Sequence, residues 1–273
     1  MANRIRRLTP VFLVILAAGC ACKMVYAQTT STQPDMPPVV QQSASPQVMQ
    51  ILLMLQQRGS TLHNFSADLQ VTTDHARTQE EDIDIGSIHY QQGIDGTQFD
   101  IHFDELVVDG AIASTNADHD ILFDGQWLID RDGSAKVYRK TQIAPPGKKF
   151  DPLKLGEGPI PIPIGQDPQE VLREFDVTLL PVDKAHTGLQ GVRLIPQNPE
   201  EFTFTQMDFW IDPKIQLPVQ IIRTDPDGDV TTAALKNFQV NTSMNFVFQV
   251  QPPDENSGWT VEVQPWQQGT SGQ

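Results

Sequence analysis

The sequence predicts a mainly β protein with a few helices (α+β), built on a curved antiparallel sheet. Three observations lead there. Apolar residues recur at every second position through about ten to twelve short stretches. Asp-Gly pairs of the kind that turn hairpins punctuate them: Asp95-Gly96, Asp124-Gly125, Asp132-Gly133 and Asp227-Gly228. Helical spacing of apolar residues is confined to two segments. A sheet of that many strands with hairpin-length connections is wide enough that its twist must curl it.

The chain opens with an export signal, residues 1–27. Arg4, Arg6 and Arg7 form a basic start, and Val11 to Ala18 is an apolar run shorter than the ~20 residues that span a bilayer. Two processing sites fit. Val25-Tyr26-Ala27 has the small-x-small form of an ordinary secretory site. Leu16-Ala17-Ala18-Gly19-Cys20 resembles a bacterial lipobox, in which Cys20 would be lipidated and become the first mature residue. Residues 28–44, rich in Gln, Ser, Thr and Pro, read as a flexible linker. The expected location is the periplasm, in solution or anchored to the outer membrane as a lipoprotein.

Composition narrows the function. The net charge is −15, and losing residues 1–27 removes four of the 19 basic residues and no acid, which takes it to −19. Such a chain repels nucleic acid and anionic membrane, so membrane contact is left to apolar cargo or to a lipid on Cys20. The two cysteines, Cys20 and Cys22, both lie in the leader, so the folded body has no disulfide and no thiol nucleophile.

A single domain is expected over residues 45–265, with a disordered tail at 266–273. Ser45 as N-cap, Pro46 at the first helical position and Val48, Ile51, Leu52 and Leu55 at helical spacing predict an amphipathic helix ending near Gly59. Its other face carries Gln50, Gln56 and Gln57. From Phe65 the period is two, with Phe65, Ala67, Leu69 and Val71 opposite Ser66, Asp68, Gln70 and Thr72. Comparable strands are read around Phe99-Ile101-Phe103, Ile121-Phe123, Trp127-Ile129, Val192-Leu194, Phe202-Phe204, Met207-Phe209-Ile211, Val219-Ile221, Leu235–Val240, Phe246-Phe248-Val250 and Trp259-Val261-Val263. Between them, residues 145–168 form a Pro/Gly-rich insert, which ends in a capped helix from Asp167 with Val171, Leu172 and Phe175 on one face.

The order of these pieces resembles the outer-membrane lipoprotein carrier family (LolA, with LolB as its lipid-anchored relative). The resemblance covers roughly residues 45–263. It rests on the helix, the strand from Asn64-Phe65-Ser66, the strand opened by Gly86, and Phe99-x-Ile101-x-Phe103. It continues through Asp124-Gly125-Gln126-Trp127, Leu194-Ile195-Pro196, Phe209-Trp210-Ile211-Asp212, Leu217-Pro218-Val219, Asp227-Gly228-Asp229 and the stretch from Asn241 to Phe248. The resemblance implies an incomplete (half) β-barrel covered by amphipathic helices, with an apolar cavity that holds acyl chains and no cofactor or catalysis. It implies as partners the acyl chains of lipoproteins or another lipid, with an inner-membrane transporter and an outer-membrane acceptor. One departure stands out: where the family places a lid-latching Arg, this chain reads Tyr90-Gln91-Gln92-Gly93-Ile94. A regulator reusing the same fold as an envelope sensor or interaction module is the alternative.

The expected cavity lining is Leu69, Val71, Phe99, Ile101, Phe103, Trp127, Phe204, Phe209 and Ile221, covered by Ile51, Leu52, Leu55, Val171 and Leu172. The rest of the chemistry is sparse. The six histidines lack the spacing of a metal site and read as polar strand residues. Asp225-Pro226-Asp227-Gly228-Asp229 departs from a calcium loop, with Val230 and Lys236 at the positions that need Gly and Glu, and reads as a solvated hairpin turn. The acid run Glu80-Glu81-Asp82 reads as a soluble sheet edge.

Overall fold

The structure is a computed structural model that describes residues 45–93, 96–114, 117–147, 150–155, 162–243, 246–254 and 256–266. The export signal with Cys20, the linker 28–44, part of the insert and residues 267–273 lie outside the described residues.

Helix α1 (Pro46–Thr61) starts where its cap predicts. Ser45 Oγ accepts the Val48 N–H at 3.2 Å, and Pro46, which has no N–H to leave unpaired, fills the first helical position. Its stripe of Val48, Ile51, Leu52 and Leu55 is buried. The helix runs past Gly59. That glycine lies against Gly165 of the insert, where a Cβ would overlap the facing Cα, so it serves close approach rather than termination.

The strands are β1 (Asn64–Asp74), β2 (Glu81–Gly93), β3 (Gly96–Val108), β4 (Ala111–Ser114), β5 (His119–Phe123), β6 (Trp127–Asp132) and β7 (Val137–Gln142). After α2 (Pro168–Glu174) come β8 (Phe175–Leu179), β9 (Gln190–Pro196), β10 (Gln206–Asp212), β11 (Leu217–Thr224), β12 (Val230–Val240) and β13 (Thr260–Gln264). They form one open, curved sheet in the order β13-β7-β6-β5-β3-β2-β1-β12-β11-β10-β9-β8, with β4 on β3. Neighbours are antiparallel except β13, which runs parallel to β7. The described residues are thus mostly β with two α-helices, and the sheet is an incomplete barrel.

Alternation gives the sheet two different faces. On the inner face Phe65, Leu69, Val71, Phe99, Ile101, Phe103, Phe123, Leu194, Phe209 and Ile221 join the stripe of α1 and Val171 of α2 in one core. The insert belongs to it too, because Leu153, Leu155, Ile162 and Ile164 are buried there. The Gln166 amide pins it, donating to the carbonyls of Leu153 (3.2 Å) and Ile162 (3.1 Å). On the outer face Leu122, Ile129 and Tyr138 form a second cluster under Phe248, Val250 and Trp259.

Several expected elements differ. Phe246-Phe248-Val250 is not a strand: the sheet below already has its ladder partners, so this segment crosses the outer face and Phe246 packs on His89 at 4.7 Å. Phe202 and Phe204 are not a strand either, and β10 begins only at Gln206. They follow the helical turn Pro199–Glu201 and meet Phe175 at 4.8 and 6.1 Å between ring centres. The acid run is no sheet edge, since β2 lies between β1 and β3. Nor is the Asp225–Asp229 turn merely solvated: Asp229 accepts the Ala76 N–H at 2.9 Å and bonds His75 at 3.2 Å. The short strands β4 and β8 carry no clear period-two signal in the sequence.

At Gly86 the ladder to β3 shifts register, and a Cβ would overlap the His102 carbonyl oxygen. Gly86→Ala is therefore expected to lower unfolding free energy by about 1–3 kcal/mol, measured by urea titration. A second expectation concerns pH. His75 bonds Asp229 and Asp82, His102 bonds Asp120 and Asp104, and His119 bonds Asp130. Burial pulls all three imidazoles down, but the carboxylates together outweigh it and hold them above their ordinary value. A raised histidine stabilises the fold below its unfolded pKa of ~6.5, and that contribution is lost as pH rises through the folded value. Unfolding free energy should thus fall from about pH 6.5 upward, and His119→Gln should make the fall shallower. His89, held low by burial and by His102, opposes the trend.

Candidate functional site: the covered inner face and the groove beside α1

Of the fourteen residues expected to line or cover an apolar cavity, twelve lie in the inner core: Leu69, Val71, Phe99, Ile101, Phe103, Phe204, Phe209, Ile221, Ile51, Leu52, Leu55 and Val171. Leu172 packs against that core while partly exposed. Trp127 is elsewhere. Its neighbour Leu128 joins the inner core, so alternation turns Trp127 outward, where the Lys140 ammonium sits 4.9 Å from its ring centre.

The inner residues are assembled into one core. Leu55, Phe99, Phe103 and Phe209 are fully buried in it, whereas Ile51, Leu69 and Ile101 keep 5%, 5% and 6% of their area. At the fully buried positions the chain's own side chains fill the layer between sheet and helices. An open volume with an apolar lining lies beside α1. A groove of about 490 Å³ runs along the helix between Pro46, Met49, Gln50, Leu53, Met54 and Gln57 on one side and Gln190 and Gln216 on the other.

Gln190 begins β9 and Gln216 sits in the β10–β11 turn, so the groove lies where the helix rests on the end of the sheet. Two features set it apart. No lining side chain carries a charge, in a chain of net charge −15. Its floor also adjoins the inner core, because Met54 lines the groove and packs against that core. Leu53 is 50% exposed, an apolar side chain standing in water. Gln190 places a fully buried side-chain oxygen there with no hydrogen-bond partner among the described residues, an arrangement that normally costs ~1–3 kcal/mol.

In the sequence this helix face reads as polar because of Gln50 and Gln57. Met49, Leu53 and Met54 are the signal that reading misses: a helix apolar on both sides has a second surface to cover. Among the described residues no three His, Cys, Asp or Glu are placed to hold a metal ion, and no helix is long and apolar enough to cross a membrane.

No protein-family model and no curated protein matches the chain. Among solved structures it is similar to an uncharacterised conserved protein from Thermus thermophilus, at 11% identity and TM-score 0.46, over 80% of this chain and 99% of the other. It is similar to a chain of the MucA/MucB complex of Pseudomonas aeruginosa at 12% identity and TM-score 0.42, covering 73% of this chain and 59% of that one. The structural neighbours also include a LolA superfamily protein from Nitrosomonas europaea, at 12% identity and TM-score 0.35, over 74% and 97% of the two chains.

Truncation separates the two sides of α1. Leu55→Ala is expected to cost about 2–5 kcal/mol in urea unfolding, whereas Leu53→Ala should stay within about 0.5 kcal/mol.

Proposed function

We propose that this chain is an exported lipid-binding carrier of the cell envelope that takes up acyl chains, including those of lipoproteins, along the groove beside α1 and shelters them between helices and sheet. The observation that carries this reading is the uncharged groove, whose Leu53 is exposed at the surface and whose Met54 packs against the core beneath α1. Transfer of a methylene from water into such surroundings gains ~0.8 kcal/mol, so ten methylenes gain roughly 8 kcal/mol, the scale of a micromolar complex before ordering costs. Binding of this kind needs no catalytic group. In the loaded state the acyl chain takes the place that the stripe of α1 occupies on the inner face, and Leu69, Val71, Phe99, Ile101, Phe103 and Ile221 become its lining.

One observation favours a second reading. Complete burial of Leu55, Phe99, Phe103 and Phe209 suits an interaction module that carries no cargo and uses its surface alone.

Lipid extraction and native mass spectrometry of the purified protein, with titration of a fluorescent fatty-acyl probe, distinguish the two. The carrier reading expects bound acyl species and saturable probe binding, with Leu53→Glu weakening the probe at least tenfold at an unchanged melting temperature. Absence of both cargo and probe binding, or a Leu53→Glu variant that binds as the parent does, would leave the interaction module standing.

A further inference from the structure

The outer face holds a second hollow that acyl binding does not use. Asp100 on β3, Asp120 on β5 and Arg131 on β6 form its floor. The crossing segment walls it with Gln249 to Asp254, Ser257 and Trp259, enclosing about 470 Å³.

Its charges are unevenly matched. One nitrogen of the Arg131 guanidinium is engaged twice: its Nη1 donates to Asp118 at 2.6 Å and to Asp120 at 3.1 Å, and the group lies 5.1 Å from the ring centre of Trp259. Asp120 also meets His102 Nδ1 at 2.6 Å. Asp100 is matched more loosely. The basic group paired with it is His89 Nδ1 at 3.9 Å, beyond hydrogen-bond reach, and only 25% of its side chain is exposed. Asp254 adds a third carboxylate to the lining against the single guanidinium. Beside these acids stand Val250, Pro252 and Pro253, an apolar wall.

We propose that this hollow binds an alkylammonium group, a primary amine on a methylene stem, as carried by a lysine side chain or a polyamine. The ammonium sets its three donors against Asp100 and Asp254, and the stem lies along Val250, Pro252 and Pro253. An anion meets three lining carboxylates there against one guanidinium, which two aspartates already share.

The electrostatics agree with the geometry. Burial first, and the facing Asp120 next, push Asp100 up to about 6. A cation that ionises Asp100 relieves that strain, so binding tightens as pH rises from about 5 to about 7. The titratable and charged groups around Asp100 are His89 on β2, His102 and Asp104 on β3, Asp118 and Asp120 at β5, Arg131 on β6 and Asp254 above. Protonation of His89 and His102 at the lower pH adds repulsion of the same sign. The site lies on the opposite face from the groove, so its test stands apart from the acyl reading.

Isothermal titration of the full chain with spermidine, and separately with a lysine-containing peptide, at about 150 mM salt tests the proposal. The expected result is saturable binding that Asp100→Asn weakens at least tenfold, while Glu200→Gln, which removes an exposed carboxylate elsewhere, leaves it unchanged. Asp254→Asn gives the same reading should Asp100→Asn fold poorly. Tighter binding of the peptide assigns the amine to a partner protein, and tighter binding of spermidine assigns it to a free polyamine. The proposal is overturned by absence of binding to both probes. It is equally overturned if both aspartate variants bind as the parent does, or if Glu200→Gln loses as much affinity as they do.

Discussion

A sheet this wide has two apolar faces, and the described residues supply two α-helices, of 16 and 7 residues, to keep water from them. Burying a Phe or Leu side chain gains about 1.5–3 kcal/mol, so neither face can be left open. The rest of the architecture answers that constraint. The insert tucks Leu153, Leu155, Ile162 and Ile164 beneath the inner face, where the helices alone fall short. The segment from Phe246 to Trp259 does the same on the outer face, over Leu122, Ile129 and Tyr138. The described residues that do this, Leu153, Leu155, Ile162, Ile164, Phe248, Val250 and Trp259, lie outside helix and strand, yet they are held by the same force that packs α1.

That division explains what is legible in the sequence. Strands with strict alternation, such as Phe65 to Val71, and the capped start of α1 follow from local chemistry alone. The inner residues can also be chosen by period and by order along the chain, which is why thirteen of the fourteen lie in or against one core. Trp127 escapes because parity over a six-residue strand gives either face to an aromatic residue, and only the neighbours of Leu128 reveal which. The prolines of the insert mark an extended loop, while its aliphatic residues, set between them, carry the contrary signal. Phe246 to Val250 shows a strand's alternation while lying across a face, a difference of backbone partner that a single chain's pattern does not encode.

The packing of the inner core sets the terms for any apolar ligand. An acyl chain entering the layer gains its own burial only by displacing Leu52, Leu55 and their neighbours from contacts of equal quality. Affinity is then a difference between two well-packed states, and the half-buried Met49 and exposed Leu53 on the helix offer contact before that exchange begins.

The two ends of α1 are held unequally. At the C-terminal end the Gly165 N–H donates to the Leu55 carbonyl at 3.0 Å, the Asn241 amide donates to the Thr61 carbonyl at 2.8 Å, and Asn241 in turn accepts from the His63 N–H. At the N-terminal end, among the described residues, the bond from Val48 to Ser45 is local to the cap, and apolar packing of Val48 and Ile51 holds the helix. Such a helix is a lever with its fulcrum at Thr61, and tension applied to the chain before Ser45 acts at the far end of its arm.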